Sequence, residues 1–447
     1  MKYLRKILCL LLCAVFMFAF AGCDLLSGTG SGGNGNDNGN GGDNTGDNGN
    51  EPGGNEDPVL EDNSGKEDGR YNLETYVYPL WEGNTVYNET LWFAVENYAP
   101  LLYEPERVIS VRSYDLKTTY TEGTDYVVDG NSIVLLPNGR IPYMTESEYF
   151  PATPPNPGIV VPHEGGGYWY MNEGQDISMR QVVVTYEHKG TRNWTLPQEE
   201  SAKFSKTLAK LENGERVKVV FYGDSITVGA NASGFLNCAP YAESYADMVK
   251  SYMEARYPAA QIDFANTAVG GTDSNWGNSK KTGIAAIDNI SVPEGVDGDH
   301  FKVRVLDEAP DLLFIAYGMN DQDYTPYVRY QNNIADMIEK VRAQNPNVEI
   351  MLISGMIANP ETPFYNKDYA AYEESLRELT EKYENVGLAR TLSTVLSVYA
   401  QDEEGGNGKR FQDCTANNAN HPNDFMMRIY AQTVLYSLFG KDYIDHI

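Results

Sequence analysis

The sequence predicts an α/β protein: a three-layer α/β/α domain with a parallel sheet, preceded by an all-β, jelly-roll-like sandwich. Three observations carry this prediction. From Arg216 to Ala389, short apolar runs alternate with stretches whose apolar residues recur at helical spacing, the pattern of βα units. From Tyr71 to about Thr195, β-branched and aromatic runs are instead separated by Gly, Asn and Asp turns. At Leu196-Pro197 one texture gives way to the other, which sets a boundary near 195 to 200.

The N-terminus comes first. Lys2, Arg5 and Lys6 precede the apolar run Ile7 to Phe20, and small residues follow, which reads as a secretory signal over 1–22. Ala21-Gly22-Cys23 resembles a bacterial lipobox, although Phe20 departs from the usual Leu-type residue. Cys23 is then the expected lipidation site, and the protein a membrane-anchored, extracytoplasmic lipoprotein held to the cell surface by that lipid alone. Ordinary signal cleavage nearby is the alternative. Residues 23–70 are mostly Gly, Asn and Asp with little to bury, so a disordered tether is expected, with a reach of roughly 35 Å for about forty flexible residues.

The formal net charge of −29 argues against nucleic acid and anionic membrane as partners. Of the five cysteines, Cys9 and Cys13 fall in the signal and Cys23 carries lipid, leaving Cys238 and Cys414. Export permits a Cys238–Cys414 disulfide; two buried, unreactive thiols are the equal alternative.

In the β-rich part, residues 71–197, Asp125 to Val128 and Asn131 to Leu136 flank Asp129-Gly130 as a hairpin. Thr85 to Val95, Val108 to Tyr114 and Met179 to Tyr186 are further strand-like runs. Phe150 to Asp176 is rich in Pro and Gly and holds His163-Glu164-Gly165-Gly166-Gly167-Tyr168-Trp169-Tyr170. A loop packed back on the sheet is the favoured reading, and a flap offering Trp169 to a ligand the other. His163 beside Glu164 lacks the spaced partners of a metal site, so no metal and no cofactor are expected.

In residues 198–447 a helix over Gln198 to Leu211, ended by Gly214, leads into strands at Arg216–Tyr222, Gln261–Ala265, Leu312–Tyr317, Val348–Ser354 and Val386–Ala389. Helices are expected over Tyr241–Arg256, over the stretch bearing Tyr330, Ile334, Met337, Ile338 and Val341, and over Asp368–Tyr383. Pro422 opens a last helix with Phe425, Ile429, Val434 and Leu438 inward.

The chemistry follows from what lies beyond the C-terminal strand ends, where such sheets build sites. Gly223-Asp224-Ser225 after the first strand offers a serine nucleophile, with Asp224 bracing the turn. A serine needs a base within hydrogen-bond reach, and His421, directly before the last helix, is placed to supply it. Asn266 to Gly271 and Gly318-Met319-Asn320-Asp321 follow two further strands and offer amide donors. In order and chemistry these four stretches resemble the SGNH (GDSL-type) hydrolase superfamily. The layout is similar to that of two-domain carbohydrate esterases.

The resemblance implies an oxyanion hole from the N–H of Ser225, the N–H of Gly271 with Gly270 as alternative, and the side chain of Asn320. It also implies a triad acid three residues before the histidine, where this chain has Asn418. That departure leaves three ways to orient His421: Asn418 itself, Asp413 from the same loop, or a main-chain carbonyl. Trp276 and Tyr317, beside the oxyanion stretches, join Trp169 as substrate-facing candidates, with packing beneath the loop as the other reading of Trp276.

The expected function is removal of small acyl groups, acetyl in first place, from carbohydrate through an acyl-Ser225 intermediate. The alternatives are a lipase, lysophospholipase or thioesterase of the same superfamily, and a glycan-binding lipoprotein whose hydrolase domain has decayed at Asn418.

Overall fold

The computed structural model describes residues 64–66, 69–155, 161–279, 299–323, 325–362, 368–400 and 408–446. The signal, Cys23 and most of the expected tether lie outside them. The tether ends earlier than expected: Ser64 is buried, with its hydroxyl donating to Asn88 and accepting from Arg112, and Gly65 bridges Tyr71. No helix among the described residues is long and apolar enough to cross a membrane.

The first part is β-rich, as expected. Strands β1 (Thr85–Leu91), β3 (Pro105–Ser113), β4 (Thr119–Tyr120) and β7 (Val182–His188) form an antiparallel sheet in the order β1-β7-β3-β4. Strands β2 (Tyr98–Pro100), β5 (Tyr126–Asp129) and β6 (Ser132–Leu135) form another, β2-β6-β5. The expected hairpin is β5–β6, with its turn one residue later, on Gly130-Asn131. Met179 belongs to a helical turn, Asp176–Arg180, and not to β7.

The second part is a five-stranded parallel sheet of β8 (Arg216–Gly223), β9 (Gln261–Asn266), β10 (Leu312–Ala316), β11 (Glu349–Ile353) and β12 (Val386–Ala389), in the order β12-β11-β10-β8-β9. The longer helices are α1 (Tyr245–Arg256), α2 (Tyr327–Gln344), α3 (Tyr369–Lys382), α4 (Thr391–Tyr399) and α5 (Asp424–Phe439). Strand side chains alternate between faces. Val219, Phe221, Phe314 and Met351 join the core that contains Met248 of α1 and Val434 of α5, whereas Val220, Tyr222, Leu313 and Leu352 join Ile334 of α2 and Leu376 of α3. The result is the three-layer arrangement. Helix α1 starts four residues later than expected, because Ser244 caps it by accepting from the Asp247 N–H.

One of the hydrophobic clusters crosses the boundary between the proposed units, 71–197 and 198–447. It runs from Tyr76, Val86, Leu91 and Val184 to Phe221, Ile429 and Leu438. All sixteen residues of α5 are buried. Its polar residues bind the first part: Arg428 donates to the Tyr87 carbonyl, and Gln432 Nε2 donates to the carbonyls of Tyr76 and Tyr78, each at 2.8 Å. A buried ion pair pins the same junction, with Lys409 Nζ 2.8 Å from Glu89 Oε1 and both side chains fully buried.

Cys238 and Cys414 are both free thiols. Cys414 is buried and Cys238 half-buried.

Candidate active site

The nucleophile turn is built from local rules. A side chain at Gly223 would clash with the Ala316 carbonyl and the Thr227 hydroxyl, so only glycine lets the chain turn there against β10. Asp224 then caps the single helical turn Ser225–Val228, its Oδ1 accepting from the Ile226 N–H at 3.0 Å. This is the bracing role expected of it. Burial pushes the Asp224 carboxyl up to about 7, against the opposing effects of the Ile226 N–H and His421. Ser225 is the first residue of the turn, where a backbone N–H has no partner within the helix.

His421 comes from the loop that leads into α5, and one side chain above all holds that loop. Asn417 Oδ1 accepts from the N–H groups of Ala419, Asn420 and His421, each at 3.0 Å. Thr415 bridges Pro422, and the Asn359 N–H donates to the Ala419 carbonyl at 2.7 Å. This frame places His421 Nε2 3.0 Å from Ser225 Oγ. The predicted pair is therefore assembled across 196 residues of sequence.

The other face of the imidazole overturns the sequence-based expectation. His421 Nδ1 meets Asn231 Oδ1 at 2.5 Å and Glu173 Oε2 at 3.1 Å. Asn418 does not reach the ring: its Oδ1 accepts from the Tyr149 hydroxyl at 3.2 Å and its Nδ2 donates to the Tyr170 carbonyl at 3.0 Å. Its left-handed backbone, φ 60°, turns the side chain toward the first part of the chain. Asp413 is also engaged elsewhere, accepting from the Trp92 N–H at 2.7 Å and pairing with Arg410. Sequence reasoning missed both groups that do meet Nδ1. Asn231 lies only six positions beyond the serine, whereas Glu173 stands in an irregular stretch with no motif around it.

Glu173 is held from several sides. Its Oε1 accepts from Asn417 Nδ2 at 3.1 Å, and its main-chain carbonyl accepts from Asn231 Nδ2 at 2.6 Å. Burial opposes its charge, but the positive field of His421 and the bonds from His421 and Asn417 outweigh it, holding the carboxyl below the usual carboxylate range.

The oxyanion stretches are locked together by buried polar groups. Gly271 turns with φ 75°, a left-handed conformation that suits glycine, and Asn320 Nδ2 donates to the Thr272 carbonyl next to it at 2.8 Å. Asp321 accepts from the Ser274 N–H at 3.0 Å and from its hydroxyl at 2.5 Å. Gly270 directly precedes Gly271 in the same turn.

The three aromatic candidates do not line an open site. Trp276 is buried and stacks on His300 with centroids 4.0 Å apart; Tyr317 is buried edge-to-face with Tyr222. Trp169 packs against Tyr149, Phe150 and His163, in a cluster that also holds Ala419. The packed-loop reading of Phe150–Asp176 thus holds for Trp169. Among the described residues, no three His, Cys, Asp or Glu side chains converge to hold a metal.

A serine and a histidine in contact beyond the ends of a parallel sheet, between two turns rich in Gly and Asn, define a serine-hydrolase type of site. Residues 221–429 match the model of the GDSL-like lipase/acylhydrolase family. A comparison with curated proteins finds no match. Among solved structures, similar ones include a two-domain esterase (CEX) active on acetylated mannans, co-crystallized with mannopentaose (18% identity, TM-score 0.37, 53% of this chain and 54% of that one). Others are Axe2, an acetylxylan esterase from Geobacillus stearothermophilus (17%, 0.36, 50% and 94%), and the acetyl xylan esterase AlAXEase (17%, 0.36, 50% and 100%). The match spans about half the length of the two-domain esterase.

Proposed function

We propose that this protein is a serine esterase that removes small acyl groups, acetyl in first place, from carbohydrate outside the cytoplasm, anchored through lipid on Cys23. The observation that carries the hydrolytic reading is the 3.0 Å contact of Ser225 Oγ with His421 Nε2. In the first half-reaction Ser225 Oγ attacks the ester carbonyl carbon while His421 Nε2 takes the hydroxyl proton. The oxyanion is met by the N–H of Ser225, the N–H of Gly271 and the second N–H of the Asn320 amide. The bond to the sugar oxygen then breaks, and that oxygen leaves with the proton from Nε2. Water, deprotonated by His421, releases the acid from acyl-Ser225 and restores the serine.

The intact Ser225–His421 pair separates the proposal from a decayed, purely binding protein, and acyl-chain preference separates it from the lipase and lysophospholipase readings. Hydrolysis of p-nitrophenyl acetate through octanoate, and acetate release from acetylated mannan and xylan, test it. Activity highest on acetate and lost in Ser225→Ala is expected; equal activity in Ser225→Ala, or a preference for octanoate, overturns it.

A further inference from the structure

We propose that Glu173, supplied by the β-rich part of the chain, is the acidic positioning residue of the site, acting through His421 together with Asn231 in place of the missing acid at 418. The inference rests on the esterase reading, since it assigns a role within that reaction.

The argument begins with proton placement. For Nε2 to take the Ser225 proton, the imidazole must carry its own proton on Nδ1 and present a lone pair at Nε2. Both atoms facing Nδ1 are oxygens, Glu173 Oε2 at 3.1 Å and Asn231 Oδ1 at 2.5 Å, and both accept. An asparagine amide could present its NH₂ group instead, which would force the opposite tautomer. Here that group is committed to the Glu173 main-chain carbonyl at 2.6 Å, so Glu173 fixes the direction of the Asn231 amide as well as contributing its own carboxylate. One residue therefore sets the tautomer twice, through its main chain and through its side chain.

Charge distinguishes the two acceptors. When Nε2 accepts the serine proton the ring becomes cationic, and an amide oxygen cannot neutralise it whereas a carboxylate can. Glu173 is held in its charged form by its partners, and its Oε1 is fixed by Asn417, the side chain that also organises the His421 loop. The acid and the base are thus registered to each other by a shared asparagine. Asp224, which also feels the field of His421, lies on the nucleophile side.

The test uses the full chain with Glu173→Gln, which keeps the shape, and Glu173→Asp, which keeps the charge, assayed on p-nitrophenyl acetate across pH. Glu173→Gln is expected to lower kcat by about 10²- to 10⁴-fold with KM within about threefold. The acid limb of its kcat/KM profile moves to lower pH, because protonating the ring is harder without the neighbouring negative charge. Glu173→Asp recovers at least tenfold over Glu173→Gln. A merely structural glutamate predicts the reverse pattern, with the profile unmoved and loss following unfolding by circular dichroism. If Glu173→Gln is folded and retains wild-type kcat and profile while Ser225→Ala is inactive, this inference fails and the esterase reading stands; if Ser225→Ala is itself active, that reading fails.

Discussion

Replacing Asn418 by Asp tests whether position 418 is a lost catalytic acid or a structural tie. If the histidine lacked its acid there, restoring Asp would raise turnover, by up to about 10⁴-fold on the scale of the reverse change in serine proteases. The structure predicts no gain. The backbone at 418, φ 60°, is one that Asp tolerates as Asn does, so the side chain stays where it is. There a carboxylate still accepts from Tyr149 but sets a second oxygen against the Tyr170 carbonyl, where the amide now donates at 3.0 Å. Losing that donor in a fully buried position costs about 1–3 kcal/mol. Alternatively the new carboxyl keeps its proton, and its pKa rises in the folded state. The sign follows: an acid raised on folding costs nothing below its unfolded pKa of about 4, and stability falls as pH rises through the folded value, about 1.4 kcal/mol for each unit of the shift. Asn418→Asp is therefore expected to match wild type near pH 4 and to be about 2–4 kcal/mol less stable near pH 8 by urea denaturation. Its kcat/KM on p-nitrophenyl acetate stays within about threefold of wild type wherever the protein is folded. A tenfold gain in kcat/KM would refute the placement of Asn418 described above.

Two further outcomes follow from buried charge. Lys409→Met leaves Glu89 charged and unpaired in a dry site and is expected to cost about 3–5 kcal/mol in urea denaturation, part of which the double change Glu89→Gln/Lys409→Met restores; a loss under 1 kcal/mol contradicts the pairing. Asp224, raised to about 7 by burial, withdraws stability as pH climbs from about 4 to about 7, so Asp224→Asn, which keeps the capping oxygen, flattens the fall of melting temperature over that interval; parallel curves for the two proteins would show that Asp224 does not titrate in the fold.

The parts of the site that were legible in the sequence are those in which each functional residue follows its own strand. Ser225 follows β8, Gly271 follows β9 and Asn320 follows β10, so the periodicity that marks the strands also marks the positions where a site can form. His421 was legible because the loop before a final helix has few alternatives. Its orienting partners were not. The spacing that points to Asn418 assumes a loop that turns 418 inward; instead Asn417, one position earlier, gathers the loop's N–H groups and Asn418 turns toward Tyr149 and Tyr170. Glu173 lies 248 residues from His421, and nothing within such a stretch of sequence encodes a meeting across two parts of a chain. The aromatic candidates failed for a related reason: stacking faces and core residues are the same residue types, and only burial tells them apart.

Helix α5 shows why the larger arrangement escaped the pattern as well. Phe425, Ile429, Val434 and Leu438 read as inward residues, and the polar Arg428, Gln432, Thr433 and Ser437 stand between them in sequence. Every one of these residues is buried: main-chain carbonyls of Tyr76, Tyr78 and Tyr87 accept from Arg428 and Gln432 in place of water, and Thr433 donates to the Ile429 carbonyl of its own helix. A polar residue type reports where hydrogen bonds are required, not whether solvent or another part of the chain supplies them. The consequence reaches the chemistry. The first part of the chain that covers α5 also carries Tyr149, Tyr170 and Glu173 onto the loop that enters α5, so the support of the C-terminal helix and the environment of His421 Nδ1 come from one interface. A hydrolase half cut away at 198 would expose a buried arginine and glutamine and, in the same act, strip the base of its carboxylate.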